Sequence, residues 1–215
     1  MSTRIGIICE GTIDYALLKA LLCVMAEKEA GFTWPIECDF FTLPKRGFGA
    51  VLQTAEALVK SLQTYQDYGL FVIVLDERTA QVQKRVRMII GGNPRFVLGI
   101  AIREIEAWWL GDRSNTLEWV GFRMAPHGSR YAARAYCSEK DDSPKKTLDE
   151  LTMLSDRFDR CYGQGSSEMA EDFSERFWQH SANLEQIASQ CPRGFRPFRR
   201  SILRALKQAK KTIQP

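Results

Sequence analysis

The feature that most constrains this chain is residues 4–14, RIGIICEGTID, where apolar Ile5 and Ile7, Ile8 and Cys9 run straight into Glu10-Gly11-Thr12. A continuous apolar run of this length is the mark of a strand covered on both faces, as in a parallel sheet. Gly11 permits a sharp turn, and Thr12 is the expected N-cap of a following helix. Glu10 therefore stands at the carboxyl end of a buried strand, where open α/β sheets place their ligands, with Asp14 in the first helical turn facing the same crevice.

The same grammar recurs. Leu17, Leu18, Leu21, Leu22 and Met25 give residues 14–30 a broad helical stripe, which Gly31 stops. Residues 34–43, WPIECDFFTL, are a second expected strand, ended by Pro44-Lys45-Arg46-Gly47. Helical spacing then covers 50–68. Residues 70–75, LFVIVL, are the plainest buried strand and deliver Asp76 and Glu77 at their end. A short helix over 80–90 and a strand over 96–102 follow, the latter running into Arg103-Glu104-Ile105-Glu106-Ala107-Trp108-Trp109. Strand–helix alternation of this kind predicts an α/β fold with a doubly wound, mostly parallel sheet flanked by helices.

Beyond Asp112 the pattern changes. A helix is expected at 114–122, and a polar loop or flap at 124–142. Ser143-Pro144 signals another helix start. Residues 163–167 have the composition of a linker, with further helices at 169–178, 182–190 and from 196 or 197 to 211. The expected organisation is a core over residues 1–113 and a mainly helical extension over 114–215. Of Trp108 and Trp109, adjacent on a helix and so pointing apart, one is expected in the core and the other over a loop or partner surface.

Cysteines at 9, 23, 38, 137, 161 and 191 form no CxxC pair, and the only histidines are His127 and His180, which argues against a structural zinc site. The opening MSTRIGI lacks the layout of a secretory signal and no stretch has membrane-spanning length, so the expectation is a cytoplasmic protein without a membrane partner. The chain carries a net charge of +4, yet eight basic residues and no acidic one lie between Arg193 and Lys211. That tail interleaves Arg199 and Arg200 with Phe195 and Phe198 and suits a nucleic-acid backbone.

Three strand ends carry acid: Glu10 with Asp14, Asp76 with Glu77, and Glu104 with Glu106. In a parallel sheet they converge on one edge. Crowded carboxylates repel, and a hard divalent cation relieves that repulsion with oxygen ligands. Mg²⁺, or Mn²⁺ in its place, would open a route to phosphodiester chemistry. Lys145 or Lys146, at the start of a helix, would reach a phosphate.

The set EGTID, VLDE, REIEAWWLGD and SPKKTLDEL resembles the TOPRIM domain of topoisomerases, bacterial primases and the overcoming-lysogenization-defect nucleases. It is most similar to an uncharacterised family of bacterial TOPRIM-like proteins, some encoded beside ATPases. The resemblance covers most of the first 150 residues. It implies that Glu10 acts as general acid/base or ligand, and that Asp76 is the first of two aspartates holding Mg²⁺. Arg78 stands where the second aspartate belongs, and an arginine there would compete with the metal or bind phosphate directly. Glu106 or Asp112 would then complete the ligands. The implied function is Mg²⁺-dependent nuclease action on nucleic acid. The alternative is a non-catalytic partner subunit on a degenerate TOPRIM scaffold, serving an ATPase.

Overall fold

The structure, a computed structural model, describes residues 3–41, 47–77, 80–132, 136–179 and 183–213. Four strands, β1 (Thr3–Ile8), β2 (Ile36–Phe40), β3 (Tyr68–Asp76) and β4 (Phe96–Ala101), form a sheet in the order β2-β1-β3-β4. Every pairing is parallel. The fold is therefore Rossmann-like α/β, as the continuous apolar runs predict.

Alternation along the strands feeds two cores. Ile8, Phe71, Ile73 and Leu75 face α2 (Phe48–Lys60) and α3 (Ala80–Ile90). Ile5, Ile7, Val72 and Val74 face α1 (Thr12–Lys28) on the other side. Leu17, Leu18, Leu21, Leu22, Val24 and Met25 are all buried, because α1 is held between the sheet and α7 (Tyr162–Gln179). A helix covered on two sides needs an apolar stripe this wide.

The remaining helices are α4 (Glu106–Gly111), α5 (Arg113–Trp119), α6 (Pro144–Met153), α8 (Leu184–Gln190) and α9 (Phe195–Ile213). One apolar core contains residues from both sides of residue 113. The basic tail supplies part of it: α9 lies along β4 and buries Phe195, Phe198, Ile202 and Leu206. Gly99 permits this docking, since a Cβ there would stand 2.6 Å from the Phe198 ring.

Several local expectations change. Gly11, in extended backbone, is the N-cap of α1, and Thr12 is its first helical residue. The helix expected over 50–68 stops at Lys60, and Leu62–Tyr65 make a 3₁₀ turn before β3. Residues 163–167 are not a linker but lie inside α7, which bends at Gly165. Over 124–142 the described residues form a loop with short 3₁₀ turns, as expected, but it is anchored: Tyr131 is buried and donates its hydroxyl to Leu110 O at 2.7 Å. Both tryptophans are buried, Trp108 stacked on Phe198 at 4.9 Å and Trp109 on Phe173 at 4.2 Å. Packing by Tyr162 and Phe173 of α7 and by Trp119 of α5 consumes the second ring. No helix among the described residues is long and apolar enough to cross a membrane.

Candidate functional site

Chain direction sets the site. After β1 the chain moves outward to β2, and it then returns past β1 to build β3 and β4 on the other side. The loops leaving β1 and β3 thus diverge, and a crevice opens at their carboxyl ends.

Glu10 follows β1 directly. Its backbone N–H donates to Asp14 Oδ2 at 3.1 Å, which draws the first turn of α1 over the strand end. Asp76 is the last residue of β3, and its Oδ1 accepts the N–H of Ile105 at 3.0 Å. The β4–α4 turn is thereby tied to β3. Arg103 in that turn has φ of +67°, left-handed backbone that costs a non-glycine residue about 1 kcal/mol or more. Its N–H donates to Glu77 Oε2 at 3.2 Å and its guanidinium reaches Asp142 at 3.0 Å, two contacts that offset the strain. The turn aims the first residue of α4, Glu106, inward.

Glu106 is 1 % exposed. Its Oε1 accepts the Tyr162 hydroxyl at 2.9 Å and lies 3.8 Å from Lys145 Nζ. Its Oε2 is buried without a hydrogen-bond partner among the described residues. The Lys145 ammonium also stands 3.6 Å from Glu104 Oε1, and its backbone N–H donates to Glu104 Oε2 at 3.1 Å, the helix start holding an anion as such ends do. Lys145 and Tyr162 border an open cavity of about 290 Å³ that Ile13, Asp149 and Gly163 also line.

The acids act on one another's charge. Burial pushes the Asp14 carboxyl up to about 7; Asp76, Glu106 and Glu10 reinforce this and Lys145 opposes it. Burial likewise raises Glu106 to about 7, with Lys145 and the Tyr162 hydrogen bond pulling down and Asp76 pushing up. Burial works against the Lys145 ammonium, but Glu106, Glu104, Asp76 and Asp14 outweigh it and raise its pKa. Among the described residues, the Lys145 ammonium alone does not neutralise this many carboxyls. Near neutral pH Asp14 and Glu106 are therefore partly protonated, and another cation would take the place of those protons.

The sequence thus leads to one crevice for Glu10, Asp14, Asp76, Glu104, Glu106 and Lys145. Glu77 lies at its rim, where Arg193 comes within 3.6 Å. Asp112 does not join them. It is buried and accepts from Asn115 Nδ2 at 2.7 Å and from the Asn183 N–H at 2.9 Å, so it fastens α5 to the segment before α8. Arg199 is committed internally to Glu29 and Glu185, which raises its pKa further. Arg200 faces solvent, and Arg78 lies outside the described residues. Sequence reasoning missed Tyr162, which meets Glu106 from 56 residues away. Its only local signal was a tyrosine ahead of residues that look like a linker.

Hard oxygen donors and excess negative charge match a divalent cation in type. Among the described residues, however, no three acidic, histidine or cysteine side chains already stand as a ligand set. The bare Oε2 of Glu106 is the oxygen with capacity to spare. No family model, curated protein or solved structure matches the chain.

Proposed function

We propose that the crevice holds a divalent cation, Mg²⁺ or Mn²⁺, and acts on phosphodiester bonds of nucleic acid. The observation that carries this reading is the buried, unpartnered Oε2 of Glu106 beside coupled Asp14 and Asp76. Leaving such an oxygen without a partner costs about 1–3 kcal/mol, and a bound cation or a proton would recover it. Glu106, Asp76 and Glu10 would hold the ion. A bound cation would offset the crowded negative charge and polarise a phosphoryl oxygen. Lys145, at the cavity wall, would meet the substrate phosphate, and Glu10 would handle the proton.

The test is cleavage of plasmid duplex and of single-stranded DNA and RNA with Mg²⁺ or Mn²⁺. The expected result is activity that falls about a hundredfold or more in Glu10→Gln and Asp76→Asn. Cleavage that survives both substitutions would contradict the assignment.

A second reading is favoured by Lys145, whose ammonium already stands as counter-charge between Glu104 and Glu106. In that reading the chain is a non-catalytic subunit, partnered by an ATPase as the TOPRIM resemblance suggests, and the crevice is an internal ion-pair network. It predicts no metal binding and marked destabilisation on Lys145→Met. Metal binding lost in Asp76→Asn would exclude it.

A further inference from the structure

The last helix has two faces that the structure separates cleanly. Phe195, Phe198, Ile202 and Leu206 are buried against the sheet, while Arg196, Arg200, Arg204, Lys207 and Lys211 are exposed. The exposed set recurs at three- and four-residue steps and so lies along one side of a helix. The other cations of the tail are engaged elsewhere. Arg193 approaches Glu77, Arg199 is paired with Glu29 and Glu185, and Lys210 donates to Gly31 O beside the Trp34 ring. Among the described residues, Arg200, Arg204, Lys207 and Lys211 make no ion pair with this chain's acids. From Arg196 to Lys211 the stripe spans about 22 Å at a helical rise of about 1.5 Å per residue.

The stripe also points somewhere. The turn ahead of α9 is held at the carboxyl edge of the sheet, where Glu139 accepts the N–H groups of Arg193 and Gly194 at 2.9 and 2.6 Å. Arg193 there reaches Glu77, next to Asp76. The cationic face therefore begins at the rim of the acidic crevice and runs away from it along β4.

We infer that this face docks the phosphate backbone of a duplex nucleic acid and leads it to the crevice. Duplex is favoured over single strand because the phenylalanines interleaved with the cations are buried, so the stripe offers no aromatic platform on which bases could stack. Contacts of lysine and arginine with phosphates alone read no sequence, so binding is sequence-independent and salt-sensitive. The inference rests on the nucleic-acid reading of the crevice and names the surface that reading needs.

The test uses the full chain, because removing α9 would strip Phe198, Ile202 and Leu206 from the core. A fluorescent 20-base-pair duplex is titrated across a salt series with wild type and with a variant combining Arg200→Gln, Arg204→Gln and Lys207→Gln. All three substituted side chains are exposed, so folding is preserved. The expected result is a wild-type salt slope that becomes shallower by about 3 in the triple variant, with affinity at least about tenfold weaker. Wild-type binding weakened in the triple variant supports the inference even if no cleavage is seen, an outcome that fails only the nuclease reading. An unchanged slope and affinity would overturn it even where cleavage is intact. Failure of wild type to bind the duplex, including the case where it binds anionic phospholipid vesicles instead, would overturn it as well.

Discussion

The Tyr162 hydroxyl donates to Glu106 Oε1 at 2.9 Å and leaves Oε2 of the same buried carboxyl without a partner. Half of this side chain is satisfied by the fold and half is not. Aromatic packing rigidly supports the satisfied half: Tyr162 meets the Trp109 ring edge-on at 5.4 Å, and Trp109 stacks on Phe173.

Tyr162→Phe removes the hydroxyl donor that Glu106 has among the described residues while preserving the ring. The expected cost is about 1–2 kcal/mol, larger at alkaline than at acidic pH because the donor serves the charged form best. Urea midpoints at about pH 5 and pH 8 check this. An equal cost at both would mean that Glu106 does not change its protonation state between them.

Asp14 and Glu106 both bind a proton more tightly in the folded chain than in the unfolded one, with folded values near 7. Folding therefore takes up protons between about pH 4 and 7. Their contribution to stability is fully present below the ordinary carboxylate range, is lost as pH rises through about 7, and changes little above that. In Glu106→Gln the loss of stability from about pH 5 to pH 8 is expected to be smaller than in wild type, read by denaturant unfolding. A loss as large as wild type's would show that Glu106 is not one of the titrating groups.

Much of this was legible along the chain. Strands buried on both faces write themselves as continuous apolar runs, so the sheet and the acids at its carboxyl ends follow from residues adjacent in sequence. What was not legible depends on distant partners. Nothing near Glu106 announces Tyr162, and nothing near Trp109 announces Phe173. Glycines and serines at 163–167 have loop composition, but contact with α1 and α6 carries the helix through them with a bend at Gly165. The basic tail shows its charge in sequence, while its use as a sheet cover depends on Gly99, nearly a hundred residues earlier.

Gly99→Ala tests that docking. The added methyl would meet the Phe198 ring, which is itself stacked on Trp108 and cannot turn aside. The expected destabilisation is about 1–3 kcal/mol in urea unfolding. An unshifted midpoint would show that α9 does not lie against β4 in solution.

The most direct test of the central claim is calorimetric titration of Mg²⁺ and of Mn²⁺ at about pH 6.5, where Asp14 and Glu106 are mostly protonated, on wild type and Asp76→Asn. A cation entering this crevice must displace the protons that Asp14 and Glu106 hold near neutrality, so the observed heat should change with the ionisation enthalpy of the buffer. The account predicts saturable binding with proton release in wild type and none in Asp76→Asn. Absence of binding in wild type, or binding that Asp76→Asn leaves unchanged, would contradict it.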